Sequence, residues 1–306
     1  MQNKIIGFIG QGWIGKNYAD DFQRRGYKIV RYGLEKEHVE NGNKISDCDI
    51  VFIAVPTPTT PEGFDASILR TVIKKVGQGK IAVIKSTILP GTTASIQKDN
   101  PEIFVLHSPE FLTEATAAHD AANPTRNIVG LPIDNEEYRE KSKLVLSVLP
   151  EAKFSLICSA GEAELIKYGG NNWFFFKVIF INLLYDLVDK FNCDWEVIRS
   201  AMAADPRIGP SHMMPVHKSG TPGGDAYQLQ PEKPRQGGGR GAGGHCFIKD
   251  FAAFVRMYEQ EVGDESGVKV LRALENKNID LLVSSGKDLD LLAGVYGENF
   301  PGKQEK

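Results

Sequence analysis

The chain has 306 residues, enough for one large domain or two ordinary ones with cores of their own. Its 36 basic and 39 acidic residues nearly balance, so charge gives no reason to expect nucleic acid or an anionic membrane as a partner. The first apolar run begins at Lys4, which leaves no room for a signal peptide, and the 4 cysteines lack the paired spacing of a zinc site. We therefore expect a cytoplasmic protein with reduced thiols and no bound metal.

Short β-rich runs alternate with helical stretches over residues 1–158. The predicted strands are 4–10, 28–33, 49–55, 80–86, 103–108, 126–130 and 153–158. Near-continuous apolar runs separated by helices are typical of a parallel sheet covered on both faces. Residues 1–158 are therefore predicted to form an α/β domain with a doubly wound parallel sheet of the Rossmann type, which binds a dinucleotide.

A glycine-rich turn joins the first predicted strand to the first helix. A lone GxGxxG motif is weak evidence, but here a strand precedes it and a helix and a second strand follow. Gly10 would make the turn, Gly12 would let a pyrophosphate approach the backbone, and Gly15 would let the helix pack on the strand. The predicted coenzyme contacts in this turn are Gly10, Gln11, Gly12, Trp13, Ile14 and Gly15.

The end of the second predicted strand leaves the coenzyme undecided. The acid that usually holds the ribose hydroxyls is absent there, because Gly33 falls at that position. Glu35 is a candidate substitute, whereas Arg31 and Lys36 lie close by in sequence and nothing at Gly33 would repel a 2′-phosphate. NAD is therefore favoured, and NADP stays open.

Residues 159–306 have mostly helical periodicity and are predicted to form a second, helical domain. The apolar run 173–188 contains Lys177, Asn182 and Asp186, so it is too short and too polar to span a bilayer and is typical of a buried helix. Residues 210–243 form a predicted loop rich in Pro, Gly and charged residues. A loop this long is usually functional or disordered.

Cys246 follows that loop at the predicted N-terminus of a helix. Unpaired backbone N–H groups and Lys249 would stabilise a thiolate there, although an inert core cysteine explains this residue alone equally well. Asp250 follows one helical turn later. Lys167 and Asn171, also four residues apart, share a face of an earlier helix if that helix is regular, and alone would more often be a solvated surface pair.

Five segments, in this order, resemble the UDP-glucose/GDP-mannose dehydrogenase family. They are "KSTILPGTT" (85–93), "HSPEFLTEATAAHD" (107–120), "EAELIKYGGNN" (162–172), "DPRIG" (205–209) and "GGHCFIKD" (243–250). The similarity extends from residue 1 to near residue 285. It implies an NAD-dependent homodimer of polysaccharide biosynthesis that oxidises the C6 alcohol of a nucleotide sugar, with UDP-glucose favoured, to a carboxylate.

By this resemblance Cys246 is the nucleophile. After the first hydride leaves, its thiolate would add to the aldehyde as a thiohemiacetal; the second hydride transfer would give a thioester, which water hydrolyses.

The resemblance also assigns supporting catalytic side chains. Lys167, assisted by Asn171, would stabilise oxyanionic intermediates. Asp250 and Thr87 would position the water that relays protons, and Glu114 is a candidate base for hydrolysis.

Further binding residues complete the predicted site. Besides the glycine turn, the predicted coenzyme contacts are Val55, Pro56, Thr57, Ser86, Thr87 and Lys249. The predicted substrate contacts are Glu110, Phe111, Leu112, Lys167, Asn171, Arg207, Gly243 and Gly244. Arg207 is a candidate phosphate or sugar contact that could reach across a dimer interface.

The chain departs from the family pattern in several places. The family has a third domain that closes over the UDP group, and the chain stops at "FPGKQEK", where we expect that domain to begin. Gly169 and Gly170 lie between Lys167 and Asn171 and could loosen their shared helix, since each costs about 1 kcal/mol relative to Ala. Ile248 replaces the usual proline, which should matter little.

The long loop is a second departure, because it exceeds the family's corresponding loop. We hypothesise that it folds over the substrate and that Lys233, Arg235 and Arg240 supply phosphate contacts. A disordered surface insertion is the alternative.

Two other functions remain in competition with the first. A two-electron dehydrogenase of a hydroxy acid would share the plan but would not need Cys246, and a catalytically inactive nucleotide-binding homologue would not need the catalytic residues. The apolar helix near 161–191 is predicted to form the core of a homodimer, the alternative being burial within its own subunit.

Overall fold

The computed structural model describes residues 4–219 and 238–302. It divides into two compact units, Met1–Thr57 with Asp65–Lys167 and Pro58–Phe64 with Tyr168–Lys306, which we call the first and second units. The domain boundary proposed between residues 158 and 159 stays a prediction.

Eleven strands lie in the described part of the chain. They are β1 Ile5–Ile9, β2 Lys28–Tyr32, β3 Ile50–Ile53, β4 Thr59–Thr60, β5 Gly63–Phe64, β6 Ile81–Ile84, β7 Phe104–His107, β8 Arg126–Leu131, β9 Phe154–Ser159, β10 Val216–His217 and β11 Gly239–Arg240.

Ten α-helices lie in the same described ranges. They are α1 Trp13–Arg24, α2 Ser67–Val72, α3 Thr92–Asp99, α4 Ala117–Ala122, α5 Glu136–Val148, α6 Ala160–Lys190, α7 Trp195–Ala203, α8 Gly244–Glu261, α9 Glu265–Ser285 and α10 Leu289–Tyr296. Three short 3₁₀ segments, Val39–Asp47, Ile73–Lys75 and Glu114–Thr116, connect them.

The first unit is built on one seven-stranded sheet with the strand order β2-β1-β3-β6-β7-β8-β9. These are the seven predicted strands, and the Rossmann-type doubly wound fold is confirmed. The sheet is parallel except at one place, where β7 and β8 pair antiparallel through His107 and Gly130. Strands buried on both faces are apolar throughout, so their sequence does not reveal their direction.

Three aromatic rings fix the start of this sheet against its first helix. The Phe8 ring of β1 stacks on Phe52 of β3 with centroids 5.5 Å apart, and Phe22 of α1 lies 5.3 Å from both. All three side chains are buried. This packing holds β1 and α1 in place on either side of the glycine-rich turn.

The second unit is helical apart from its two short hairpins. The long helix α6, most of which lies in this unit, runs unbroken through Gly169 and Gly170. These glycines therefore do not interrupt the helix between Lys167 and Asn171. One face of α6 enters the core, where the Phe175 ring stacks on Phe251 of α8 with centroids 3.8 Å apart. Ile248 of α8 is buried in an adjoining apolar cluster, which accounts for its being tolerated there.

The hairpin of β4 and β5 comes from the N-terminal half of the sequence but belongs to the second unit. Arg256 of α8 holds it there: one guanidinium nitrogen donates to the Thr60 carbonyl oxygen at 2.5 Å and the other to the Val295 carbonyl oxygen at 3.2 Å. No helix of the described part is long and apolar enough to cross a membrane.

Candidate active site

The glycine-rich turn of the first unit gives each of its glycines a different task. Gly10 has a φ of 89°, and a Cβ there would lie 2.3 Å from the Ala54 carbonyl oxygen. A Cβ on Gly15 would lie 1.9 Å from the Gly10 carbonyl oxygen. A Cβ on Gly12 would meet no described heavy atom within 4 Å. Gly10 and Gly15 are therefore needed for packing, and the open side of the turn is at Gly12.

Helix α1 begins directly behind this open side. Its first turn carries Trp13, Ile14 and Gly15, so no acid neutralises the positive end of the helix dipole from within that turn. The Gln11 side chain folds back to the carbonyl oxygens of Phe8 and Gly10. The geometry suits the diphosphate of a dinucleotide, which a helix N-terminus binds through its backbone N–H groups.

An acid, Glu35, follows the end of β2 two residues beyond the position where the ribose-binding acid usually lies. A Cβ on Gly33 would lie 2.1 Å from a Glu35 carboxylate oxygen and 3.1 Å from Gln11 Cγ, so the Glu35 carboxylate lies beside the glycine turn. Arg31 instead binds Asp20 and Gln23, at 2.8 and 2.9 Å. Glu35, the candidate substitute for the missing acid, therefore has its carboxylate beside Gly33, and the choice between NAD and NADP stays a prediction.

The loops that follow β3 and β6 are joined to each other. The Ser86 hydroxyl donates to the Val55 carbonyl oxygen at 2.7 Å and accepts from the Val55 N–H at 3.0 Å. The Thr57 hydroxyl donates to the Thr87 carbonyl oxygen at 2.7 Å. The predicted coenzyme residues of these loops, which also include Pro56, therefore gather at the carboxyl ends of β3 and β6, where α/β sheets bind ligands.

Lys167 and Glu110 form a buried ion pair within the first unit. The Lys167 ammonium lies 2.7 Å from one Glu110 carboxylate oxygen, and the other oxygen accepts from the Leu112 N–H at 2.6 Å. The Phe111 ring centroid is 5.7 Å from the Lys167 ammonium. Burial alone would raise the pKa of Glu110, but Lys167 and the backbone bond hold that pKa below its usual range. The predicted substrate residue Glu110 is thus already engaged with the predicted catalytic lysine.

Sequence reasoning missed a second buried lysine beside this pair. The Lys85 ammonium donates to the Ser108 hydroxyl at 3.3 Å and lies 4.4 Å from the centroid of the Tyr18 ring. Burial lowers the pKa of Lys85 to about 7, although Glu110 opposes the shift. The segment "KSTILPGTT" begins with Lys85, but only Ser86 and Thr87 received predicted roles there, because burial is not visible in sequence.

Glu164 was also missed, although it stands one turn before Lys167 on α6. It is fully buried and accepts from the Gly91 N–H at 2.7 Å, the Thr93 N–H at 2.9 Å and the Thr93 hydroxyl at 2.6 Å. These bonds cap the N-terminus of α3 and fix the start of α6. Burial raises the pKa of Glu164 despite them. Glu114 lies in the 3₁₀ segment that follows β7, and its side chain is outside the described part.

The second unit brings together a different group of predicted residues. Asp250 is fully buried, and its two carboxylate oxygens bind the Asn171 amide at 2.6 Å and the Lys249 ammonium at 2.5 Å. Cys246 is exposed in the first turn of α8, four residues before Asp250 and hence on the same helix face. Lys249 pairs with Asp250, and its contact with the coenzyme stays a prediction.

The two glycines before Cys246 differ in their surroundings. Gly244 has a φ of 76°, and a Cβ on Gly243 would lie 2.0 Å from an Asp288 carboxylate oxygen. The predicted substrate residue Arg207 lies elsewhere in this unit, with a side chain that is 87% exposed and bound to Asp205. It remains accessible to a ligand or another chain.

The long loop is only partly described. Lys233 and Arg235, predicted to bind phosphate, lie outside the described residues. Arg240 donates to Asn182, both to its side-chain oxygen and to its carbonyl oxygen at 2.8 Å, and pairs with Asp186 at 2.7 Å. Its guanidinium therefore anchors β11 to α6. The described ranges contain no group of three or more His, Cys, Asp or Glu placed to hold a metal ion.

A Rossmann-type sheet, an open glycine turn and a helical unit with a thiol, an amide and a buried carboxylate are the plan of a nucleotide-dependent dehydrogenase. Comparison with known families gives the particular group. The NAD-binding domain of the UDP-glucose/GDP-mannose dehydrogenase family matches residues 38–145, and its central domain matches residues 161–233. Together the two cover more than half of the chain. The chain belongs to this family of NAD-dependent nucleotide-sugar dehydrogenases.

Individual relatives agree with that assignment. A putative UDP-glucose 6-dehydrogenase of Bacillus subtilis, YtcA, is 29% identical over 263 residues, covering 82% of this chain and 55% of that protein. The curated relatives are longer: the chain spans between 28% and 64% of their length.

Solved structures support the fold. A UDP-glucose dehydrogenase from Pyrobaculum islandicum has a TM-score of 0.70 at 24% identity, covering 89% of this chain and 68% of that one. A 3-hydroxyisobutyrate dehydrogenase of Mycobacterium tuberculosis has a TM-score of 0.67 at 14% identity, covering 97% and 99%.

Proposed function

We propose that this chain oxidises the C6 primary alcohol of a nucleotide sugar, with UDP-glucose the favoured substrate, to a carboxylate through a covalent intermediate on Cys246. Family membership supports the substrate class. The observation that carries the mechanism is the buried Asp250 carboxylate, which holds Asn171 and Lys249 one helical turn beyond an exposed Cys246. An inert core cysteine would be buried, and this one is not.

The residues divide the chemistry in a definite way. NAD, when bound, accepts a hydride from the sugar carbon at each of the two oxidations. The Cys246 sulfur forms a bond to the aldehyde carbon after the first, and the second leaves a thioester. Water then adds to the thioester carbon and the C–S bond breaks, which releases the carboxylate and regenerates the thiol. In this proposal Asn171 and Asp250 orient the water, and Lys167 stabilises the negative charge that develops on oxygen.

NAD is proposed as the coenzyme, because of where the Glu35 carboxylate lies. An acid beside the glycine turn can accept hydrogen bonds from the ribose hydroxyls, and it repels the 2′-phosphate of NADP. Arg31, one of the two cations close by in sequence, is already bound to Asp20 and Gln23. The residues present therefore fit NAD better than NADP.

A homodimer through α6 is part of the proposal. Trp173, Phe180 and Leu187, spaced seven residues apart on this helix, are 63%, 58% and 56% exposed. Residues at that spacing follow one side of a helix, and large apolar side chains in a row on a surface mark an interface. The opposite side of α6 is buried in the second unit, so burial within its own subunit accounts for only one face.

Coenzyme stoichiometry tests the function. UDP-glucose, UDP-galactose, UDP-N-acetylhexosamines and GDP-mannose would each be incubated with NAD and with NADP, and both the reduced coenzyme and the sugar acid would be measured. Two reduced coenzymes per carboxylate support the proposal. One per product would favour a two-electron dehydrogenase, an alternative to which the fold of the 3-hydroxyisobutyrate dehydrogenase lends weight. None would indicate an inactive nucleotide-binding homologue.

Light scattering during size-exclusion chromatography tests the dimer. Trp173→Glu should shift the chain toward the monomer, because the new carboxylate on the exposed face of α6 would lose its hydration in the dimer interface. The matched control is Val270→Glu, which changes an equally exposed apolar residue on α9, 59% accessible. If wild type is already a monomer at micromolar concentration, the dimer proposal fails.

A further inference from the structure

The turn that follows α9 contacts the chain on both sides of residues 220–237. One Asp288 carboxylate oxygen accepts from the Ser219 hydroxyl at 2.6 Å and from the Gly244 N–H at 2.7 Å. Ser219 lies on the near side of the loop and Gly244 is the first residue of α8. Asp288 therefore ties the start of the Cys246 helix to Ser219, which lies within the predicted loop 210–243.

The preceding residue makes a parallel set of contacts. The Lys287 ammonium donates to the Gly241 carbonyl oxygen at 3.0 Å and lies 2.9 Å from His217 Nε2. Burial and the Lys287 charge lower the pKa of His217 to about 3, so its ring is neutral and can accept that bond. Lys287 and Asp288 together form a clamp on the loop, and we use that name for them below.

The backbone around the clamp is adapted to it. Asp288 has a φ of 53°, in the left-handed region that non-glycine residues seldom occupy. A Cβ on Gly243 would lie 2.0 Å from an Asp288 carboxylate oxygen and 2.7 Å from the Ser219 hydroxyl, so a side chain there would displace these polar groups. This acid and Gly243 meet directly before the first turn of α8. Such strain persists only where surrounding contacts hold it in place, and it is concentrated at functional sites.

This geometry changes the electrostatics expected for Cys246. Unpaired N–H groups at a helix N-terminus stabilise a thiolate, but the Gly244 N–H already donates a hydrogen bond to the Asp288 carboxylate. We propose that Asp288 is a positioning residue for Cys246: it fixes the first turn of α8 and opposes ionisation of the Cys246 thiol. The catalytic part of this inference rests on the proposed role of Cys246 as nucleophile.

Other charged groups at this end of α8 have partners of their own. Lys249 and Asp250 pair with each other at 2.5 Å, and Lys287 is directed to His217 and the Gly241 carbonyl. His245 neighbours Cys246 in sequence, and Lys218 precedes Ser219. The His212 ring lies 5.6 Å from the Phe247 ring, and burial lowers the pKa of His212 to about 4. The Asp288 carboxylate binds a backbone N–H of the first turn directly, so removing its charge is the informative change.

The test is alkylation of Cys246 in the full chain as a function of pH, read by mass spectrometry of the peptide that carries residue 246. Asp288→Asn keeps an acceptor for the Gly244 N–H but removes the charge. We expect the midpoint of its alkylation profile to fall by roughly half to one pH unit. The matched control is Asp264→Asn, because Asp264 caps α9 in the same unit by accepting from the Ser266 and Gly267 N–H groups.

Turnover gives the second measurement. Asp288→Ala removes charge and hydrogen bonds together, and we expect kcat to fall about tenfold or more with the KM for the coenzyme within twofold. If Asp288→Ala does not fold, the Asn variant and Ser219→Ala, which leaves the charge in place, still decide the question. An Asp288→Asn profile that coincides with wild type would overturn the inference. Alkylation needs no substrate, so a shifted profile in a chain that reduces no coenzyme would uphold the charge effect while the proposed function fails.

Discussion

The molecule contains two glycine-led helix starts, and they differ in what occupies them. Helix α1 follows Gly12, beside which a Cβ would find open space, and its first turn carries no acid. Helix α8 follows Gly243, and its Gly244 N–H is bound by the Asp288 carboxylate at 2.7 Å. The two glycine-led helix starts therefore resemble each other in sequence but differ in electrostatic potential. The first is prepared for an anionic ligand, and the second is already partly neutralised by the protein.

The largest expected effect concerns the second helix start. Cys246→Ser should lower carboxylate formation about 10³-fold or more, because a serine hydroxyl remains protonated and cannot replace the thiolate as nucleophile. Product acid and coenzyme would be quantified in the same reaction. Cys193→Ser is the matched control, since Cys193 is also an exposed cysteine of the second unit. Full turnover by the Cys246 variant would remove the assigned nucleophile.

The first helix start can be tested with two glycines of the same motif. Gly15→Ala should destabilise the chain by roughly 3 kcal/mol, because its Cβ would lie 1.9 Å from a backbone carbonyl oxygen. Gly12→Ala should change stability by about 1 kcal/mol or less and weaken NADH binding about tenfold, because the methyl enters the open side of the turn. Urea unfolding and calorimetric titration measure the two effects. Unchanged NADH affinity in Gly12→Ala would show that the open space is not a ligand site, and equal losses of stability would contradict the packing difference between the two glycines.

A substitution of Glu35 tests which coenzyme the start of α1 binds. Glu35→Gln should improve NADPH binding relative to NADH by about tenfold, since it removes a charge beside the 2′ position. Dissociation constants by titration need no turnover. Glu37→Gln is the control, because its carboxylate is 78% exposed in the same segment. An unchanged ratio would place the ribose away from Glu35.

The smallest expected effect concerns the buried lysine of the first unit. The pKa of Lys85 is lowered to about 7 from an ordinary value of 10.5, so between these values the unfolded chain binds more protons than the folded one. Stability attributable to this group therefore rises with pH across that window and is lost as pH falls toward 7. Lys85→Met should flatten the slope by about 1 kcal/mol per pH unit.

Urea unfolding between pH 7 and 9.5 measures this slope. Lys80→Met, which removes another lysine next to the same strand, is the comparison variant. Parallel slopes for wild type and Lys85→Met would contradict the assignment.

Sequence patterns were sufficient for much of the fold. All seven strands of the main sheet were predicted, because each is an apolar run bounded by turn residues. The direction of β8 and the membership of the 58–64 hairpin were not predictable, because one depends on pairing and the other on Arg256 reaching the Thr60 carbonyl oxygen. Glu35 could be suspected but not placed, since only the bend after β2 brings its carboxylate against Gly33.

By itself, the sequence determined the glycine turn, the helix that follows it, the order of the strands along the chain and the family motifs, because these depend on backbone conformation and local periodicity. Only the tertiary structure decided which charges are neutralised: Glu110 by Lys167, Lys249 by Asp250, and the start of α8 by Asp288. Those pairings join residues that are distant in sequence, or depend on the burial of one partner, and Coulomb energies depend on separation and on the surrounding dielectric rather than on order in the chain.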